Sequence, residues 1–253
     1  MLVFMCADQI QENSQKQDDT QFRERIVRAS DQDLGSYELI KDEKELIWYP
    51  AEVNTSIRPG WFYHEEEDDQ VKSLETLISI YEHSVGGNAT FLLNIPPTKE
   101  GLFHENDVKR LHEIGEYQKK CYGKNLLEKA SLFCEEQKKG FEIENLRNDD
   151  YDSYFTTSDG QRNCRIYIKF DKEYDIHRVV LKENIKKSQR IEAFRILTVH
   201  DGSEKCIFEG TVVGYKKIAL LDEIKTKELI KELVIEIIDS RVAPTLSYIG
   251  IFE

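Results

Sequence analysis

The chain has 253 residues and a formal net charge of -13, from 48 acidic against 35 basic residues. This length accommodates one large or two modest domains, each with its own core. Because the balance is acidic and no dense Lys/Arg patch occurs, neither nucleic acid nor an anionic membrane surface is expected as a partner. No apolar run approaches the length of a transmembrane helix.

The cysteines are spread singly along the chain, at Cys6, Cys121, Cys134, Cys164 and Cys206. Their odd number and the lack of a C-x-x-C pair favour reduced thiols in a reducing compartment over a disulfide or zinc framework. The start, MLVFMCADQI, is apolar but lacks a basic flank, so it is not predicted to be a signal peptide. Secretion stays open, since a signal peptide of a longer protein would lie before residue 1.

The first half alternates strand-like and helix-like segments. Strands are predicted over 2–6 and 45–49, a surface helix or lid over 17–33, and a long loop over 50–69. Residues 68–85 carry apolar side chains at helical spacing and predict a helix, which Asp68 or Asp69 would cap and Gly86-Gly87 would end. A buried strand over 89–97 and a helix over 105–121, capped by Asn106, follow.

Two successive strand–helix units predict parallel strands with right-handed crossovers. Two strands cannot close a sheet, so these units are interpreted as the last part of an incomplete (β/α) barrel. Function in such barrels lies on the loops after the strands. Half a barrel would expose sheet edges and helix faces, so poor solubility or self-association is expected.

Short β-rich runs dominate the second half. They separate at turn signals such as Asp159-Gly160 and Asp201-Gly202, and they lie at 165–170, 178–183, 190–199, 205–213, 216–221, 232–239 and 247–253. This spacing predicts an antiparallel β-sandwich with little helix. The sequence therefore predicts an α/β domain over 1–123 and an all-β domain over 124–253.

The segment 48–64, WYPAEVNTSIRPGWFYH, holds the only two tryptophans of the chain together with Glu, Arg and His. Sugar-binding clefts combine flat aromatic faces with charged side chains in this way. The alternative is an ordinary aromatic-rich strand and turn. Because the segment lies where barrel loops carry function, the sugar-binding interpretation is favoured.

Three motifs occur in a fixed order in the first half: SIRPGWFYH at 56–64, SVGGN at 84–88 and LLNIPP at 92–97. With their flanks they resemble the end of the catalytic barrel of glycoside hydrolase family 29, the α-L-fucosidases, over roughly residues 10–121. The later half resembles the discoidin-type carbohydrate-binding module, of discoidin or jelly-roll fold, that often follows these barrels. That likeness rests on residues 145–155, 188–196, 212–218 and 249–253.

The resemblance implies a retaining glycosidase that acts on terminal α-L-fucosyl groups of glycans. Such enzymes use a nucleophilic carboxylate and an acid/base carboxyl. The family places the nucleophile in a W-x-D motif on a middle barrel strand and the acid/base Glu before the 48–64 segment. Residues 1–45 carry no matching Asp strand. The chain is therefore interpreted as the C-terminal part of an α-L-fucosidase that is inactive by itself, with no cofactor for catalysis.

Four residues of the loop are predicted to bind substrate. Glu52 is either a ligand for sugar hydroxyls, a partner of Arg58 or a plain surface carboxylate. Arg58 holds a carboxylate in the site or forms a structural ion pair. Trp61 is a stacking platform or a core residue. His64 bonds substrate, fixes Glu52 or is structural.

Other residues of this half are given supporting roles or none. Trp48 and Tyr49 are expected to pack in the core, and Asn94 either orients the loop or satisfies backbone groups. No role is assigned to His83, His104 and His112.

The discoidin likeness also implies a structural calcium ion, held by Asn148, Asp150, Ser153 and Glu253. Asn148 stands at the usual acidic position and Asp149 replaces the usual glycine, so a solvated acidic turn is the alternative. Tyr151, Tyr154 and Phe155 are the candidates for glycan contact, with Phe155 at a core position. If the sandwich does bind glycan, the chain is alternatively a non-catalytic carbohydrate-binding or interaction protein.

Overall fold

A computed structural model describes residues 33–42, 51–221 and 228–253. The strands predicted over 2–6 and 45–49, with Trp48 and Tyr49, lie outside the described residues, as does nearly all of the helix predicted over 17–33. A single turn of helix, α1 (Tyr37–Ile40), precedes the larger elements. Among the described residues, no helix is long and apolar enough to span a membrane.

The first half holds two parallel strands, each followed by a helix. Strand β1 (Glu52–Ser56) pairs in parallel with β2 (Thr90–Asn94), so that Ser56 lies beside Asn94 at the carboxyl ends. Helix α2 (Leu74–Ser84) follows β1, and α3 (Glu105–Tyr122) follows β2. This is the repeated strand–helix order of a (β/α) barrel, as the sequence predicts.

Three sequence predictions in this half are wrong in detail. The strand β1 lies inside the segment that was predicted to be a loop. Val53 and Thr55 favour a strand, but the polar residues Glu52 and Asn54 interrupt the apolar pattern by which strands are recognised. The helices α2 and α3 are capped by Ser73 and His104, whose side chains accept the N–H groups of Thr76 and Asn106, respectively. The second strand is not buried throughout, since Leu92 is 45% exposed.

The second half is an antiparallel β-sandwich, as predicted. One sheet has the order β3-β5-β10-β7-β8 and the other the order β4-β11-β6-β9. Their strands are β3 (Ser131–Phe133), β4 (Phe155–Thr156), β5 (Cys164–Tyr174), β6 (Arg178–Glu183), β7 (Ile191–His200), β8 (Ser203–Gly210), β9 (Lys217–Leu220), β10 (Ile230–Ser240) and β11 (Thr245–Phe252). The alternating burial of β5 explains why its pattern was readable. The short edge strands β3 and β4 carry too little periodicity and were missed.

The main core lies between the two sheets of the sandwich and is built from inward-facing Ile, Leu, Val and Phe side chains. The outer face of the four-stranded sheet packs against the first half through Val180, Ile218 and Phe252, with Tyr81 of α2 and Tyr122 of α3. The chain passes from α3 into the sandwich at Gly123. The two halves therefore share a packed interface.

Candidate functional site

The candidate site lies at the carboxyl ends of β1 and β2. The segment after β1 carries Arg58, Trp61 and His64, and the segment after β2 leads to His104 at the start of α3. The rings of Tyr63 and His104 lie with their centroids 6.5 Å apart, so the two segments meet. This is the edge at which barrels place functional loops.

Arg58 is fully buried and belongs to an ion-pair network. Its Nε donates to both carboxylate oxygens of Asp107 at 3.1 Å, and its Nη1 donates to Oδ1 of Asp68 at 2.7 Å. Asp107 is also fully buried. Burial opposes the charge of Arg58, but the hydrogen bonds to Asp107 and Asp68 outweigh it and raise the pKa of the guanidinium. The structure thus favours the structural ion pair over a sugar-facing role for Arg58.

Asp68 joins Arg58 to the surface of the site. Its second carboxylate oxygen accepts from the Tyr63 hydroxyl at 3.2 Å and lies 3.3 Å from Nε2 of His104. The hydrogen bond from Arg58 is the main reason why the pKa of Asp68 is lowered. The Arg58 guanidinium carbon also lies 4.9 Å from the centroid of the Tyr63 ring. From the sequence, Asp68 was considered only as a helix cap, His104 was assigned no role and Asp107 was not singled out.

Trp61 lies on the surface of this edge and is 47% exposed, and its neighbour Phe62 is 75% exposed. Asn94 at the end of β2 donates to the Trp61 carbonyl at 2.7 Å and to the Ser56 hydroxyl at 3.2 Å. Asn94 therefore orients the loop by satisfying a backbone group, which unites its two predicted roles. An exposed indole on a fixed backbone fits a stacking platform better than a core residue.

Side chains that follow the Trp61 loop in sequence, Glu67 and Lys72, also hold it in place. The Gly60 N–H donates to Glu67 at 3.1 Å, and a side chain at Gly60 would place its Cβ 3.0 Å from the Glu67 oxygens. Lys72 donates to the carbonyls of Ser56 and Arg58 at 2.6 and 3.1 Å. Burial lowers the pKa of this lysine. Because these contacts already hold the loop in one conformation, a ligand that binds to Trp61 would not have to order the loop and would lose little conformational entropy.

The structure places His64 on the same loop as Trp61 but does not place Glu52 there. Glu52 is the first residue of β1, at the end of the strand opposite to the loop. Four strand steps of about 3.3 Å separate it from Ser56, or about 13 Å. The prediction that Glu52 lies on the loop after the strand is therefore wrong, because the strand begins later than expected. His64 is exposed on the loop, and its carbonyl accepts from Arg58 at 3.4 Å.

The proposed calcium ligands form a self-contained turn instead. Oδ1 of Asp150 accepts from the backbone N–H groups of Asp152 and Ser153, each at 2.8 Å. The Ser153 hydroxyl donates to Asp150, and the Asn148 amide donates to Ser153. The backbone hydrogen bonds lower the pKa of Asp150. Since its oxygens are already engaged, the turn is complete without a cation.

Glu253, the fourth residue of the implied calcium site, follows the end of β11. Among the described residues, no group of three or more His, Cys, Asp or Glu side chains is arranged to hold a metal ion. The hydrogen bonds within the turn favour the solvated acidic turn over the calcium site that the discoidin likeness implies.

Calcium is accordingly expected to have no effect on thermal stability. Because a ligand stabilises a fold only if it binds the folded state, Tm should be the same in excess calcium and in EDTA. Differential scanning fluorimetry checks this. A rise in Tm with calcium that is lost in Asp150→Asn would contradict it.

Glu183 is a buried carboxylate beside the interface of the two halves. It is fully buried at the end of β6, and its oxygens accept from the N–H groups of Arg190 at 2.7 Å, Ile191 at 3.0 Å and Gly214 at 2.7 Å. Burial raises the pKa of Glu183 to about 7, although the three backbone donors oppose the shift. Gly214 in turn contacts Asn88, whose Oδ1 accepts the N–H of Tyr215 at 2.7 Å.

The raised pKa of Glu183 predicts a pH dependence of stability. Between pH 4.5 and about 7, the Glu183 carboxyl is ionised in the unfolded chain but still protonated in the folded chain. Raising the pH through this window therefore favours the unfolded chain, and the free energy of unfolding falls. Glu183→Gln does not titrate. The free energy of unfolding of the natural chain, relative to this variant, should therefore fall by about 3 kcal/mol between acidic and mildly basic buffer. Urea titrations at several pH values measure it, and a constant difference would contradict the prediction.

The chain is similar to known proteins over both of its halves. Residues 3–124 match the family model described as alpha-L-fucosidase, and residues 104–192 match that of anaphase-promoting complex subunit 10, a discoidin-like domain. The chain is 34% identical over 212 residues to alpha-L-fucosidase 1 of Arabidopsis thaliana. The resemblance to the family 29 α-L-fucosidases is confirmed.

Solved structures of family 29 fucosidases extend this match through both halves. A Ruminococcus gnavus GH29 fucosidase in complex with fucose has a TM-score of 0.75 and 29% identity, over 83% of this chain and 42% of that one. The structure named SpGH29 has a TM-score of 0.73 and 30% identity, over 86% of this chain and 47% of that one. The fold of a partial barrel followed by a β-sandwich is therefore also confirmed.

The chain corresponds to only part of these fucosidases. It spans 41% of the length of the Arabidopsis relative, while 81% of this chain is aligned. The part shared with the alpha-L-fucosidase family model includes Arg58, Trp61, Asn94 and Asp107. The candidate site therefore lies wholly within the fucosidase-like half.

Proposed function

We propose that this chain is the C-terminal part of a retaining α-L-fucosidase and forms one wall of the cleft that holds the fucosyl group of a glycan. The observation that carries this proposal is Trp61, a half-exposed indole at the carboxyl edge of two parallel strands in the fucosidase-like half. An indole face packs against the C–H surface of a sugar ring. Substrates of this kind are fucosylated oligosaccharides.

The carboxylates beside Trp61 support a binding role and not a bond-breaking one. A retaining enzyme needs two carboxyl groups roughly 5–5.5 Å apart that both reach the scissile bond. Asp107 is fully buried, and Asp68 is engaged by Arg58, Tyr63 and His104. Their role in the proposal is to hold Arg58 and with it the loop. The family resemblance assigns the nucleophile and the acid/base to a preceding part of the barrel.

The experiment is hydrolysis of a nitrophenyl α-L-fucoside by the purified chain. The expected result is no release of nitrophenol above the buffer rate, with a complete family 29 fucosidase as the positive control. Release by the chain at a rate near that of the complete enzyme would overturn the division of roles proposed here. In that event Asp68→Asn and Glu67→Gln would show which carboxylate on this loop supplies the chemistry.

A further inference from the structure

We propose that Cys134 and Cys164 form a disulfide bond in an oxidising thiol–disulfide environment, and that this bond ties the edge strand β3 to β5. The inference is independent of the fucosidase proposal. It concerns a modification site in the sandwich, and its test does not involve sugar.

The two thiols lie side by side inside the sandwich. Cys134 is 1% exposed and Cys164 is 2% exposed, and both belong to the core between the sheets. The two side chains lie close enough to interact, since the Cys134 side chain is the main reason why the pKa of Cys164 is raised. Cys121, Cys134, Cys164 and Cys206 are all free thiols in this structure. Contact between two buried thiols is the arrangement that a disulfide needs.

The strand register accounts for this contact. β3 pairs antiparallel with β5, with Phe133 opposite Tyr167. One further step places Cys134 opposite Ile166, so Cys164 is its diagonal neighbour on the same, inward face. Diagonal Cα atoms lie about 7–8 Å apart in a regular pair. Disulfides have Cα separations of roughly 4.4–6.8 Å, so closure requires a small inward shift of Cys134.

The position of Cys134 permits that shift. It follows β3, a three-residue strand at the edge of the five-stranded sheet, which is bonded to β5 on one side only. Such edges open locally at much lower cost than central strands. Its Sγ–H donates to a Glu136 carboxylate oxygen at 3.2 Å.

The reaction is thiol–disulfide exchange with a small disulfide such as oxidised glutathione. One protein thiolate attacks the glutathione disulfide and releases one glutathione thiolate. The second protein sulfur then attacks the mixed disulfide and releases the second glutathione. Two protein thiols are thereby oxidised, one glutathione disulfide is reduced to two thiols, and the two thiol protons pass to the two glutathiones.

Cys164 begins as a protonated thiol. The neighbouring Cys134 side chain and burial raise the pKa of Cys164. The thiolate is the attacking species, so formation of the bond should be slow at neutral pH and faster as the pH rises. Cys206 is exposed, and it should form a mixed disulfide with glutathione instead.

The test is incubation of the folded chain with oxidised glutathione, followed by alkylation, proteolysis and mass spectrometry. We expect one peptide pair linked through Cys134 and Cys164, a glutathione adduct at Cys206 and a Tm higher by about 5 °C. Cys206→Ser should keep the Tm gain, whereas Cys164→Ser should lose it. Alkylation of Cys134 and Cys164 as free thiols after prolonged oxidation would overturn the proposal, as would a Tm gain that persists in Cys164→Ser. The mass result on the natural chain decides the question even if a variant fails to fold.

Discussion

Replacement of Arg58 by Met is expected to lower the free energy of unfolding by about 3–5 kcal/mol. The variant removes the guanidinium that neutralises Asp107, which is fully buried, and Asp68. An unpaired buried carboxylate must then be neutralised or the site must open. Urea unfolding followed by tryptophan fluorescence measures the loss.

A second variant and a matched control sharpen this result. Asp107→Asn in the Arg58→Met background should recover part of the lost stability, because it removes the uncompensated charge. Lys169→Met breaks an exposed pair with Glu232 and should change the free energy of unfolding by less than about 1 kcal/mol. If Arg58→Met proved as mild as Lys169→Met, Arg58 would not be the anchor of the loop.

Replacement of Arg178 by Met is expected to be about as costly, 3–5 kcal/mol, and to uncouple the two halves of the chain. Nε of Arg178 in the sandwich donates to Glu82 of α2 at 2.6 Å, and its Nη2 donates to the Tyr117 hydroxyl at 2.5 Å. The Tyr122 hydroxyl donates to the same Glu82 oxygen at 2.7 Å. Burial opposes the charge of Arg178, but Glu82 outweighs it and raises the pKa of Arg178.

Two spectroscopic probes report the unfolding of the two halves separately. Both tryptophans belong to the first half, so their fluorescence reports that half, while far-UV circular dichroism is dominated by the sandwich. The natural chain should unfold in one transition by both probes, and Arg178→Met in two. Arg165→Met, which breaks an exposed pair within the sandwich, is the control. Coincident transitions in Arg178→Met would show that other interface contacts carry the coupling.

The predictable part of this fold is the part with strong local periodicity. The sandwich strand Arg178–Glu183 was predicted to the residue, and α3 to within one residue at its end, because apolar side chains recur at the period of each element. The strand Glu52–Ser56 was missed because its polar residues hide the pattern. Aromatic and charged residues in one segment correctly indicated the loop that bears Trp61.

The contacts that define the site are long-range and could not be predicted from one sequence. Arg58 and Asp107 are far apart along the chain, and only the parallel pairing of β1 and β2 brings α3 beneath the loop. Glu52 was misplaced for the related reason that a shift in where a strand begins moves a residue from one end of the sheet to the other. The hydrogen bonds from backbone donors to Asp150, which favour a solvated turn over the implied calcium site, could likewise not be predicted from one sequence.

The most direct test of the central claim is a titration of Trp61 with L-fucose. In the Trp48→Phe variant, Trp61 is the only tryptophan, and its fluorescence should change saturably with L-fucose at millimolar concentrations, but not with D-glucose. Asn94→Ala, which releases the Trp61 backbone, should weaken this response while the circular dichroism spectrum stays the same. An emission spectrum that does not respond to L-fucose, or responds equally to D-glucose, would contradict the placement of Trp61 in a fucose-binding cleft.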